Sequence, residues 1–131
     1  MPIPIESIIG QKLMWSFNGR TPPPDFLAAL AAGRVSGVTL FRSLNLAHPA
    51  QVRDLTAALQ RAAREAAQPP LLIGVDQEGG TLLAVPGTTR FPGNLALGAT
   101  RSGELAQRAG FALGRELALW PRVGGVLERH A

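Results

Sequence analysis

Short apolar runs alternate along this chain with stretches patterned as amphipathic helices, and proline or glycine stands at nearly every passage between them. That alternation limits the fold more than any other feature. Met14-Trp15-Ser16-Phe17, Val35 to Phe41 and Leu71 to Val75 read as three short strands, the second rich in β-branched residues. Helical patterns occupy Glu6 to Leu13, with Ile8, Ile9, Lys12 and Leu13 as its face, and Asp25 to Ala32, which Pro22-Pro23-Pro24 precedes and Gly33 closes. The clearest helix runs from Pro49 to about Ala67, where Val52, Leu55, Leu59, Ala62, Ala63 and Ala66 recur at three- and four-residue steps. A loop is expected from Gly79 to about Thr100, then a last helix capped by Ser102 and reaching Leu119, with Leu105, Ala109, Ala112, Leu113 and Leu117 inward. Strands separated by helices imply right-handed crossovers and a parallel sheet, hence an α/β fold. Three parallel strands leave two open edges. A closed barrel of eight such units takes roughly 200 residues or more, and the chain has 131.

At 46% hydrophobic and 17% charged, the composition is that of a globular domain rather than a disordered segment. No apolar stretch reaches the roughly 18 residues of a membrane span, so no membrane partner is expected. Without cysteine there is neither a disulfide framework nor thiolate chemistry. The first residues, Met1-Pro2-Ile3-Pro4-Ile5-Glu6, lack the basic start and apolar run of a signal peptide, which sets the expectation of a cytoplasmic protein. A net charge of +4 raises nucleic acid as a partner, but the arginines are scattered singly and no aromatic residue is interleaved with them for base stacking. No nucleic-acid role is expected.

The third strand ends abruptly in polar residues: Leu71-Leu72-Ile73-Gly74-Val75 runs straight into Asp76-Gln77-Glu78-Gly79-Gly80. Charged groups at the mouth of a buried strand are costly as structure, which makes them candidates for function. In α/β folds the C-terminal strand ends hold the ligand, and Asn18-Gly19-Arg20 and Arg42-Ser43-Leu44-Asn45 fall at the same edge after the first two strands. The glycine pair Gly79-Gly80 would let backbone approach a ligand closely. Asp76 and Glu78, two residues apart on an extended segment, would stand ~6–7 Å apart on one face. That lies between the separations of retaining and inverting glycosidases, so spacing alone leaves the catalytic reading open. Recognition of a polyol is the stronger reading, since a carboxylate accepts two charge-assisted hydroxyl hydrogen bonds.

Other chemistry lacks its residues. Neither a Walker loop nor a dinucleotide fingerprint surrounds the glycine pairs, and no cofactor is implied. His48 and His130 have no acidic partner at metal-ligand spacing, so no metal site is expected. His48 reads as an exposed residue ahead of a helix, and no Gly-x-Ser-x-Gly elbow supports a serine nucleophile.

Five segments in unbroken order resemble the β-N-acetylhexosaminidase (β-N-acetylglucosaminidase) type of family-3 glycoside hydrolase. Leu72 to Gly80 resembles that family's third strand, Ile9-Gly10-Gln11-Lys12-Leu13-Met14 its opening segment, and Gly37-Val38-Thr39-Leu40-Phe41 its second strand. Phe91-Pro92-Gly93-Asn94-Leu95-Ala96-Leu97-Gly98-Ala99 resembles the loop that follows, and Gly114-Arg115-Glu116-Leu117 the end of the third barrel helix. The resemblance implies the N-terminal part of a TIM-type (β/α)8 barrel, about three βα units. It also implies an enzyme that removes terminal β-linked N-acetylhexosamine by a retaining mechanism without a metal. On it, Asp76 is a substrate ligand that hydrogen-bonds sugar hydroxyls, and Gln77, Glu78, Gly79 and Gly80 form the supporting loop.

The family's acid/base lies in a Lys-His segment and its nucleophile in a Ser-Asp segment, and neither occurs here: no lysine follows Lys12 and no serine precedes an aspartate. No catalytic residue is therefore assigned in this chain. Thr81-Leu82-Leu83-Ala84 departs from the usual Arg-Val-x-Arg, and after Leu119 the resemblance stops. Residues 1–119 are expected to be the barrel part and 120–131 an atypical tail, consistent with a truncated or frameshifted, inactive fragment. The expected partner is an N-acetylglucosamine-containing carbohydrate. A sugar-binding or self-associating part-barrel, joined through open strand edges, is the competing reading.

Overall fold

The computed structural model describes residues 4–119; the expected tail at 120–131 lies outside them. Three strands form a parallel sheet in chain order: β1 (Met14–Trp15), β2 (Gly37–Leu40) and β3 (Leu72–Val75). Met14 stands beside Gly37 and Gly37 beside Leu72, and the register continues to Leu40 beside Val75. The helices that return the chain between them are α2 (Pro24–Ala31) and α3 (Pro49–Glu65), preceded by a short α1 (Ile5–Gly10). This is the alternation expected from the sequence, with the parallel sheet it implies.

Local chemistry sets these boundaries. Pro24 opens α2, where its missing N–H is no loss, and Gly33, at φ +68°, follows its end. His48 caps α3: its Nδ1 accepts from the Gln51 N–H at 3.3 Å, while Gln51 Oε1 accepts from the Ala47 N–H at 3.0 Å. These reciprocal contacts satisfy two donors at the helix entry, as a capping box does. One side chain then fixes where β3 begins. Gln60 on α3 donates to the Leu71 carbonyl at 2.9 Å and accepts from the Leu71 N–H at 3.0 Å.

The core lies between one face of the sheet and the two crossover helices. Val38 and Leu40 of β2 and Val52, Leu59 and Ala63 of α3 are completely enclosed, with Phe26, Leu30, Leu71 and Ile73 around them. The Phe17 and Phe26 rings meet at 5.1 Å and 59°, a tilted aromatic contact. The opposite sheet face carries Met14, Gly37, Thr39, Leu72 and Gly74 by alternation, and Met14 and Leu72 on it are exposed.

Beyond β3 the structure departs from expectation. An antiparallel hairpin, β4 (Gln77–Gly79) with β5 (Leu82–Leu83), begins just before the stretch read as loop and runs into it, and a short α4 (Asn94–Ala99) lies within it. α5 (Gly103–Leu119) follows, with the Ser102 hydroxyl accepting from the Leu105 N–H at 3.2 Å as expected of a cap. Its inward face is only partly realised. Leu117 is buried and Leu113 half-buried, but Leu105 is exposed. The N-terminal face fails as well: Ile8, Ile9 and Leu13 are all exposed, and α1 stops at Gly10 rather than reaching Leu13. Among the described residues no helix is long and apolar enough to cross a membrane.

Candidate functional site

The C-terminal ends of the three strands lie together, and a buried amide ties two of them. Asn45, fully enclosed, donates to the carbonyls of Phe17 at 2.9 Å and Gly19 at 2.8 Å, while its Oδ1 accepts from the Phe41 N–H at 2.8 Å. It therefore locks the turn after β1 to the turn after β2. All its hydrogen-bonding capacity but one lone pair is spent on backbone, so Asn45 is structural. Arg42 reaches the other way, donating to the Leu83 carbonyl at 3.1 Å and tying the β2 exit to the hairpin. Arg20 accepts through its carbonyl from Gln51 Nε2 at 3.1 Å. Two of the three polar clusters expected at this edge thus contribute bonds within the protein.

Asp76 differs from both. It sits between β3 and β4, exposed, and the ion pairs found among the described residues, Arg53 with Asp54 and Arg108 with Glu104, do not include it. It follows Val75, and Phe41 follows Leu40, so both residues come one step past the last registered pair of the two strands. Alternation that sends Ile73 into the core sends Leu72, Gly74 and Asp76 toward the open sheet face. Among the described residues, the result is an uncommitted acceptor at the strand mouth.

The residues after it are fastened. Gln77 is buried, and its amide closes a small network: Nε2 donates to Thr88 Oγ1 at 2.7 Å, Oε1 accepts from the Val85 N–H at 3.0 Å, and the Thr88 hydroxyl donates to the Val85 carbonyl at 2.8 Å. Supporting the loop falls to Gln77. Glu78 is exposed and lines a cavity of about 530 Å³ with Gln77, Phe91, Asn94, Arg101 and Leu113. Asp76 is not part of that lining, so the two acidic residues face different surroundings.

The glycine pair has a different reason from the one expected. Gly79 and Gly80 take φ of +79° and +60°, and a Cβ on Gly79 would stand 2.7 Å from the Pro92 carbonyl oxygen and 2.9 Å from that of Phe91. The Gly80 N–H donates to the Phe91 carbonyl at 2.7 Å. What approaches the glycines is the chain's own backbone at 91–93. Two motifs eleven residues apart in sequence, Gly80 and Phe91, are in fact one backbone contact.

A model of the glycosyl hydrolase family 3 N-terminal domain matches residues 6–120. The chain belongs to that family. Its sequence is 32% identical over 139 aligned positions to "Beta-hexosaminidase A" of Pseudoalteromonas piscicida, covering 89% of this chain and 23% of that protein. Its fold superposes on a family 3 beta-N-acetylglucosaminidase from Paenibacillus sp. str. FPU-7 with a TM-score of 0.81 and 41% identity, covering 91% of this chain and 23% of that one. Against NagZ from Neisseria gonorrhoeae in complex with N-trifluoroacetyl-D-glucosamine the TM-score is 0.61 at 29% identity, over 81% of this chain and 31% of that one. The chain spans about a quarter of the length of these relatives. Its three βα units, β1–α2, β2–α3 and β3–α5, are the N-terminal portion of the family 3 barrel.

Sequence reasoning put Gln77 in the loop that follows Asp76 but missed its partners, which lie 8 and 11 residues on, across a hairpin that the pattern did not reveal. It also missed Glu116, whose Oε1 accepts from the Thr89 N–H at 2.8 Å and from the Thr89 hydroxyl at 2.9 Å. A signal for Glu116 was present: a carboxylate in the last turn of a helix opposes the macrodipole.

Proposed function

We propose that this chain is the sugar-holding, N-terminal part of a family 3 glycosidase that removes terminal β-linked N-acetylhexosamine, with Asp76 accepting hydrogen bonds from hydroxyls of that sugar. The observation that carries this is the contrast at the strand mouth. Asn45, Arg42 and Gln77 are engaged with the protein, while the Asp76 carboxylate is exposed at the end of β3 and held in place by the fastened Gln77 next to it. A carboxylate beside a fastened neighbour, with none of its own lone pairs engaged among the described residues, is suited to a ligand rich in hydroxyls. Phe41, the residue after β2, is also exposed and offers an apolar surface at the same sheet edge. Gln77, Gly79 and Gly80 support the loop through Val85, Thr88 and the 91–93 backbone. The relatives named beta-hexosaminidase and beta-N-acetylglucosaminidase support the choice of sugar.

Hydrolysis needs groups that these 131 residues do not carry, since no Lys-His or Ser-Asp segment occurs among them. The purified chain is expected to show no turnover of an aryl N-acetyl-β-glucosaminide, because loss of nucleophile and acid/base removes several orders of magnitude in rate. Binding is the informative measurement. In titrations with methyl N-acetyl-β-glucosaminide, Asp76→Asn is expected to weaken affinity by about tenfold or more, the loss of a charge-assisted hydrogen bond. Unchanged affinity in that variant would remove Asp76 from the sugar site.

A second reading has its own observation. Ile5, Ile8, Ile9, Leu13, Met14, Trp15 and Leu72 are all exposed, on α1 and the uncovered part of the sheet. Apolar area of that kind favours association of part-barrels through their faces and open edges. Sedimentation decides it: a concentration-independent monomer is incompatible with self-association.

A further inference from the structure

Glu116 is a half-buried carboxylate that neither the sugar reading nor the core accounts for. It lies in the last turn of α5, where the helix dipole disfavours a negative charge. One oxygen holds Thr89 by two hydrogen bonds, and the other, Oε2, is enclosed with no partner among the described residues.

What Glu116 holds explains its presence. Segment 85–91 carries both anchors of the loop that follows Asp76. At one end, the Val85 N–H and Thr88 hydroxyl bind the two ends of the Gln77 amide; at the other, the Phe91 carbonyl accepts from the Gly80 N–H. Thr89 lies between these anchors, and Glu116 grips it from the helix behind. Hydrogen bonds from α5 to Thr89 and from Thr88 to Gln77, joined by the peptide link between the two threonines, therefore connect Glu116 to the residue next to Asp76. We propose that Glu116 is a positioning residue: by fixing segment 85–91 it sets the direction of the Asp76 carboxylate. This rests on the reading of Asp76 as the sugar ligand, and the two are separable by experiment.

Amide hydrogen exchange in the 131-residue chain reads the coupling directly. Glu116→Ala is expected to speed exchange at Thr89, and also at Val85 and Gly80, by about tenfold, while the amides of β2 and α3 keep their protection. Glu116→Gln, which retains the accepting oxygen, is expected to restore rates to within about twofold of the parent. A rise confined to Thr89, or one spread evenly through α3, overturns the proposal. Should Glu116→Ala fail to fold, Thr88→Val decides instead, because it cuts the path at Gln77 and leaves Glu116 on Thr89. Val85 must then lose protection while Thr89 keeps it, and unchanged protection at Val85 overturns the proposal. Titration with methyl N-acetyl-β-glucosaminide supplies the second arm. Affinity is expected to fall about fivefold in Glu116→Ala and to return in Glu116→Gln. Coupled exchange with a sugar affinity indifferent to Asp76→Asn would uphold the path from Glu116 and overturn the sugar reading.

Discussion

Helices α3 and α5 are both 17 residues long and both carry an apolar stripe, yet they end in opposite circumstances. α3 buries Val52, Leu55, Thr56, Leu59 and Ala63 against the sheet. α5 encloses Leu117 near its end, while Leu105 and Phe111 are exposed and Gly103, Gly110 and Gly114 face open space. The stripe is sharper on α3 than on α5, and what lies beneath the two helices differs as well. α3 packs over strands on both sides of its own crossover, whereas the sheet runs β1-β2-β3 and, among the described residues, β3 has no further strand of this sheet beside it for α5 to cover. Amphipathic pattern states that a helix has a side to bury; the sheet determines whether there is something to bury it against.

Substitutions can break this contrast. The largest effect is expected from Leu59→Ala, which removes a fully enclosed side chain from α3 and should destabilise the chain by about 2–5 kcal/mol in urea unfolding. A small loss there would mean that the sheet half is as loosely packed as the rest. Gly79→Ala comes next. A side chain at positive φ and the contact with the Pro92 carbonyl together should destabilise the hairpin by about 2–4 kcal/mol, seen as faster exchange of the Gly80 amide. If the urea midpoint falls equally, the two halves unfold as one unit rather than as two regions of different stability.

Gly110→Ala tests the open side of α5 with the opposite sign. With nothing within 4 Å of the added methyl group, helix propensity should stabilise the chain by up to about 1 kcal/mol. A loss instead would reveal that this face is covered in solution. The smallest change is expected from Phe111→Ala. The ring is 65% exposed with the Arg115 guanidinium 5.9 Å from its centroid, so the effect on the same midpoint should be no more than about 0.5 kcal/mol.

The sheet half was legible because its signals are local and repeated. Pro49, the three- and four-residue spacing of α3 and the β-branched run before Phe41 each name an element without help from elsewhere. The hairpin was not, since β5 is two residues long and the register shifts between Gln77 and Gly79, which leaves no alternation to read. α4 was hidden for a related reason: it has no side-chain cap and buries none of its residues. At the candidate site, Asp76 stood out as a charge at a strand end. The roles of Gln77, Asn45 and Glu116 depend on partners up to 28 residues away, and no periodicity announces those. The glycine pair reads in the sequence as room for a ligand, while in the structure the chain's own backbone at 91–93 lies against it.

That backbone contact has a genetic consequence. Where two side chains clash, a smaller partner restores the fit, and a lost residue can be regained through a second site. At Gly79 the atoms in the way are the carbonyl oxygens of Phe91 and Pro92, which every amino acid carries. No replacement at either position removes them. A variant of Gly79 therefore has no suppressor of that kind, and relief can come only from insertions or deletions that move the chain between the two segments.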